Sequence, residues 1–143
     1  MCFNYFKIVA VWSAGQKKYV NGIVNHLFKD IKRPHVIFSY DQCEPVGESF
    51  NKPLQKMIDL VPGLNKYMSL NNTYILDDRK ANFDTINNDN GLLIPPYKPY
   101  VNTYTLNKMD IHLNQLMIWF GRDDVINCLD IRKLDKSDIF NSK

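Results

Sequence analysis

Two aspartates, Asp77 and Asp78, close the apolar run "NTYILDD" at residues 72–78. Adjacent carboxylates repel unless a cation lies between them or one of them takes a proton, so the pair reads as a candidate divalent-metal ligand set. Ser13 closes a second apolar run, "KIVAVWS" at 7–13, and the amides of Ala14 and Gly15 follow it at the start of a helical pattern. A hydroxyl beside free amides at a helix N-terminus favours an anion, and phosphate is the natural guest. Lys52 opens another helical pattern and supplies the positive charge that a phosphate lying among carboxylates needs. Plainer readings stand beside each of these. Ser13 with Gln16 fits a helical capping box, Lys52 fits a solvated first turn, and the two acids fit caps of the turn at 79–83, in which Asn82 takes part. His26, His35 and His112 are scattered and read as surface or satisfied side chains, and Trp12 and Trp119 read as core.

Positioning these groups requires alternating strands and helices. The run at 7–13 is β-rich and apolar on both faces, as a buried parallel strand is, and those at 35–40, 72–78 and, shorter, 91–94 read as further strands. Between them, Tyr19, Val20, Ile23, Val24, Leu27 and Phe28 recur at helical spacing and predict a helix over 14–30. Leu54, Met57, Ile58 and Val61 predict a second over 52–61. Leu106, Met109, Leu113, Leu116, Met117 and Phe120 predict a third over 105–120, stopped by Gly121, with a short helical stretch at Val125, Ile126 and Leu129 beyond it. "IPPYKPY" at 94–100 reads as a rigid connection. This alternation predicts an α/β fold with a mainly parallel sheet flanked by helices. Ligands collect outside the carboxyl ends of such strands, which puts Ser13, Asp77 and Asp78 on one rim.

A chain of 143 residues is long enough for one core. We expect one domain over 1–134 and a frayed tail over 135–143. A net charge of +3, with both signs interspersed, does not call for direct binding of nucleic acid. The longest apolar run, Ile8 to Trp12, is too short to span a bilayer, and the three cysteines lack metal-ligand spacing. A soluble protein of cytoplasm or nucleus with reduced thiols is expected.

"VWSAGQKKYV", "NKPL" and "ILDDRKANFDTINNDNGLLIPPY" together resemble the haloacid dehalogenase superfamily, in its branch of RNA polymerase II C-terminal-domain phosphatases, the NLI-interacting-factor-like phosphatases. The likeness runs from about Phe6 to Phe120 and implies a Rossmann-like fold and Mg²⁺-dependent hydrolysis of phosphoserine or phosphothreonine in a phosphoprotein, such as the polymerase C-terminal domain. It implies that Ser13 binds a phosphoryl oxygen, that Lys52, or Lys56 as its rival, is the motif lysine, and that Asp77 with Asp78 anchors the metal. The resemblance also implies something this sequence lacks. The family's first motif, D-x-D-x-T or D-x-D-x-V, carries the attacking Asp and the acid–base Asp, and no D-x-D precedes Ser13. Asp30 and Asp41 belong to loops and are poor replacements.

In the family the strand bearing that motif lies centrally, between those at 7–13 and 72–78. Its absence is expected to leave two apolar edges facing a gap. The flanking strands then close up, or another polypeptide supplies the strand, or the sequence is the distal part of a longer or split gene. In each case the chain alone is expected to be nearly inactive. It would then be either an incomplete phosphatase or a non-catalytic module that binds phosphate or protein.

Overall fold

Among the described residues, each strand pairs with one other. The structure is a computed structural model and describes residues 2–47, 49–83, 86–102, 105–106 and 110–140. In chain order these form α1 (Cys2–Tyr5), β1 (Ala10–Trp12), α2 (Lys17–Leu27), β2 (Val36–Phe38), β3 (Glu44–Val46), β4 (Ser49–Asn51), α3 (Leu54–Leu60), β5 (Ile75–Asp77), β6 (Gly91–Leu93), β7 (Tyr100–Asn102), β8 (Thr105–Leu106), α4 (His112–Phe120) and α5 (Asp123–Ile126). Short 3₁₀ turns join them. The fold is mixed α/β, with helices packed against short parallel strand pairs.

β1 runs parallel to β2, with Ala10 opposite Val36, and β5 runs parallel to β6, with Ile75 opposite Gly91. β3 with β4 and β7 with β8 are antiparallel pairs that periodicity did not announce. The expected single sheet is therefore divided into separate two-stranded ladders. β1 and β5 have not closed up on each other, so the first of the three outcomes left open above is not the one adopted.

The helix expected from Ala14 starts at Lys17, and the expected capping box is not formed there. Gln16 precedes the first turn without a side-chain capping bond. The Ser13 hydroxyl instead accepts the N–H of Gly15 at 3.1 Å, a local turn that competes with capping. An S-x-x-Q contact does occur at Ser39, whose N–H donates to Gln42 Oε1 at 2.9 Å. Only Val20 and Val24 of the α2 stripe are buried, while Tyr19, Ile23 and Leu27 are exposed. α3 keeps its predicted face, with Leu54, Met57 and Ile58 inward.

The long helix expected over 105–120 is half its length. Leu106 pairs across strands with Tyr100, and Met109 lies outside the described residues. The helix starts at His112, whose N–H is taken by Asp110 Oδ1 at 3.0 Å, a local acceptor that fixes where α4 begins. Leu116 and Trp119 then face inward, while Leu113, expected in the stripe, is exposed. Gly121 follows the last helical residue and Asp123–Ile126 forms the next turn, as expected.

The core falls into clusters. Val36, Met57, Ile58, Leu64 and Met68 form one, joined by Trp12 and Phe38. Leu92, Leu116, Trp119, Val125 and Ile139 form a second. Ile139 belongs to the segment expected to fray, yet its side chain is buried there. Leu54, Ile75 and Phe83 form a third, and Leu70 packs on both it and the first. α1 is held to the end of α4 by aromatic contacts: Phe6 meets Phe120 at 5.0 Å between ring centroids, and Tyr5 donates its hydroxyl to the Phe120 carbonyl at 2.5 Å. Among the described residues, no helix is long and apolar enough to cross a membrane.

Gly91 shows how tightly β6 is seated. A Cβ there would lie 2.4 Å from Cδ2 of Phe83, a ring buried among Leu54 and Ile75 with little room to retreat. Gly91→Ala is therefore expected to destabilise the chain by about 1–3 kcal/mol through overpacking. Urea unfolding checks this, and a midpoint unchanged from the parent would show that the Phe83 ring yields freely.

Candidate functional site

The loop from β4 into α3 is pinned before any ligand is considered. Pro53 precedes the helix with φ −67°, and Asn87 clamps the chain on both sides of it. The Asn87 Nδ2 donates to the Lys52 carbonyl at 2.7 Å, while its Oδ1 accepts the N–H of Leu54 at 3.1 Å. Asn87 is 2% exposed, so a buried amide with both ends satisfied fixes where the Lys52 side chain departs. Asn90 does the same for the approach to β5, donating to the carbonyls of Leu70 and Thr73 at 2.6 and 2.7 Å. The asparagine-bearing segment at 86–90 is thus the clamp that places Lys52 and β5.

Lys52 then reaches Asp77. Its Nζ lies 2.8 Å from Asp77 Oδ2, with the two side chains only 10% and 12% exposed. The other carboxylate oxygen of Asp77 accepts the N–H of Arg79 at 2.9 Å. Burial alone would push the Asp77 carboxyl up. The bonds from Lys52, the Arg79 N–H and Asn82 outweigh it and hold the group below its ordinary 3.8. Asn82 therefore does take part in the turn, as the last residue of the 3₁₀ helix Lys80–Asn82. Lys56, the rival for the motif lysine, lies elsewhere, 3.4 Å from Glu44 on the β3–β4 hairpin.

Asp77 also stands between two cavities. One, of about 580 Å³, runs between β1 and β5 and is lined by Trp12, Lys52 and Asp77 among mainly apolar neighbours. The other, of about 730 Å³, lies beyond β5 and is lined by Asp77, Asp78, Asp110 and His112. The structure thus joins Lys52 to Asp77 and turns Asp78, which is exposed, to the far side. Ser13 follows Trp12 at the carboxyl end of β1. Its hydroxyl is occupied by Gly15, so one of the two amides expected to be free for an anion is already used.

Magnesium needs about six oxygen ligands in near-octahedral array, usually from carboxylates, phosphate and water. Among the described residues, no group of three or more His, Cys, Asp or Glu side chains is placed to hold a metal ion. Asp77 carries an ammonium on one oxygen and a main-chain amide on the other. In this arrangement Asp77 offers Mg²⁺ only oxygens that already accept a bond from Lys52 or Arg79, and the family's phosphatases generally depend on that ion.

A comparison with curated proteins gives no match. The family model described as NLI interacting factor-like phosphatase matches residues 1–128, which takes in β1, Ser13, Lys52, the Asp77–Asp78 pair and α4. Most of the chain is covered, with the candidate residues in the matched span, and the chain belongs to the NLI interacting factor-like phosphatase family.

Proposed function

We propose that this chain is a C-terminal-domain-phosphatase-like protein that recognises the phosphoserine or phosphothreonine of a phosphoprotein but does not turn it over alone. In this reading Ser13 and Lys52 hold the phosphoryl group, and the Lys52–Asp77 pair fixes the ammonium in place for it. The observation that carries the reading is that ion pair, nearly buried at 2.8 Å, at the end of the strand where the family keeps its acidic motif. Asp77 is not free to attack phosphorus, because Lys52 and Arg79 occupy both of its oxygens. A phosphate-binding module is therefore better supported than a self-sufficient hydrolase. The phosphorylated polymerase C-terminal domain is the partner class suggested by the resemblance, with a chain supplying the central strand as a second.

The test is titration with a synthetic phosphoserine peptide and its unphosphorylated twin. Binding of the phosphorylated form alone is expected. Ser13→Ala should weaken it about ten-fold, the effect of losing one hydrogen bond to a charged group, with little change in melting temperature. Equal affinity for both peptides would sink the reading.

A further inference from the structure

α2 carries apolar residues in two adjacent rows, and among the described residues the fold uses one of them. Val20 and Val24 are buried, whereas Tyr19, Ile23 and Leu27, in the row beside them, are exposed, Tyr19 and Leu27 to 65% and 63%. Side chains four apart form a ridge along a helix, of the kind that packs into the groove of a second helix. Gly22 is a further departure from what the fold alone asks. Glycine in a helix interior weakens the helix. Yet Gly22 has no positive φ, and a Cβ on it would meet nothing within 4 Å, so no described residue requires it. It belongs to the row 18, 22, 26, which borders the exposed ridge, and the missing side chain lets another backbone come close there. Lys17 and Lys18 are a third departure. They open the helix with no acidic residue in its first turn, although a helix N-terminus disfavours positive charge.

The cations continue at the other end. Lys29, Lys32 and Arg33 follow the helix, and Arg33 turns back to donate to Asn25 Oδ1 at 2.9 Å. From 17 to 33, five lysines and arginines stand against one carboxylate, that of Asp30, which lies 3.7 Å from Lys29. This segment therefore holds more positive excess than the whole chain with its +3. From the bare ridge, the unrequired glycine and the cations at both ends, we propose that α2 is a docking face for an acidic amphipathic helix of a partner protein. The apolar stripe of that helix lies on Tyr19, Ile23 and Leu27, its backbone passes over Gly22, and its acidic ends meet the two groups of cations. A second copy of the chain is the wrong occupant, because two α2 faces bring like charges together in either orientation. An anionic membrane would account for the cations but makes no use of Gly22. The ridge from Tyr19 to Leu27 is about 12 Å long, roughly two helical turns, so the contact is weak and reversible. The proposal does not depend on phosphate binding.

The probe is a short fluorescein-labelled peptide locked as a helix by a lactam on one face, with Leu and Ile in a stripe on the other and Glu at both ends. It is compared with a scrambled peptide that forms no stripe and with one carrying Lys in place of Glu. Saturable anisotropy is expected for the first alone. Gly22→Ala should raise the melting temperature, since alanine favours the helix, and yet weaken binding roughly ten-fold by holding the two backbones apart. Leu27→Ser should weaken binding roughly ten-fold with the fold intact. Lys18→Glu should weaken it by a few fold, and by less at high salt, without lowering the melting temperature. Undiminished binding to Gly22→Ala, equal binding of the scrambled peptide, or no binding at all would overturn the proposal. Self-association of the parent that Leu27→Ser abolishes would overturn it in favour of a dimer contact. Sedimentation with phosphatidylserine vesicles that Leu27→Ser abolishes would overturn it in favour of a membrane face. Inorganic phosphate at constant ionic strength should displace the phosphoserine peptide and leave the helical peptide bound, so the two readings fail separately.

Discussion

The purified chain is expected to release no phosphate from an aryl phosphate in the presence of Mg²⁺ above the level of a protein-free blank. Losing a covalent nucleophile together with its base costs about a millionfold in turnover, and this chain has no D-x-D to provide either. Asp77 is the best-placed carboxylate at the rim, but attack would require its release from both Lys52 and the Arg79 amide. The same bonds hold its charge in place, so it is a poor general acid at neutral pH. Colorimetric assay over hours checks this. Turnover that is lost in Ser13→Ala would mean that another carboxylate serves as nucleophile and that the module reading is wrong.

Replacing Lys52 by alanine is expected to lower stability by about 3–5 kcal/mol, the usual cost of stranding one member of a buried ion pair. For a chain of this size that corresponds to a fall of roughly 10–20 °C in melting temperature. The magnitude follows from burial: both side chains are almost covered, so solvent screens the orphaned Asp77 only from the cavities it lines. Converting both residues, Lys52→Met with Asp77→Leu, removes the stranded charge and is expected to recover most of the loss. The pH dependence has a definite sign. The Asp77 carboxyl is held below 3.8 in the folded chain, so its stabilising contribution is present above that value. It is lost as pH falls through the lower, folded value. Thermal melts of parent and Lys52→Ala should therefore converge only as pH falls below 3.8 and through the lower, folded value. Parallel pH profiles, or a loss under 1 kcal/mol, would mean that the pair is solvated in solution.

The parts of this architecture legible in the sequence are those with a single dominant signal. β1, β2, β5 and β6 lie inside their predicted β-rich apolar runs, and α3 kept its stripe because Leu54, Met57 and Ile58 all found partners. The helix over 105–120 failed because its spacing is equally compatible with Leu106 pairing across strands, and the local acceptor Asp110 decides where the turn begins. The Ser13 cap failed for a similar reason, since Gly15 lies closer to the hydroxyl than the first helical amide. Lys52 was singled out by charge and position, and only the structure gives it Asp77 as partner. Asn87 and Asn90 went unread because their signal is long-range: each carries a polar side chain into the interior to satisfy backbone far away in sequence. The Asn-rich composition of that loop was the one available hint.

The division of the core also bears on how the chain loses its structure. Val36, Met57 and Met68 pack around β2 and α3, whereas Leu92, Leu116 and Trp119 pack around β6 and α4, and no ladder joins β1 to β5. Without shared strands, the halves are coupled through side chains, the Lys52–Asp77 pair and the Asn87 clamp on Lys52 and Leu54 among them. The halves then open as foldons with unequal free energies. Whatever bridges β1 and β5 would fuse these foldons into one cooperative unit.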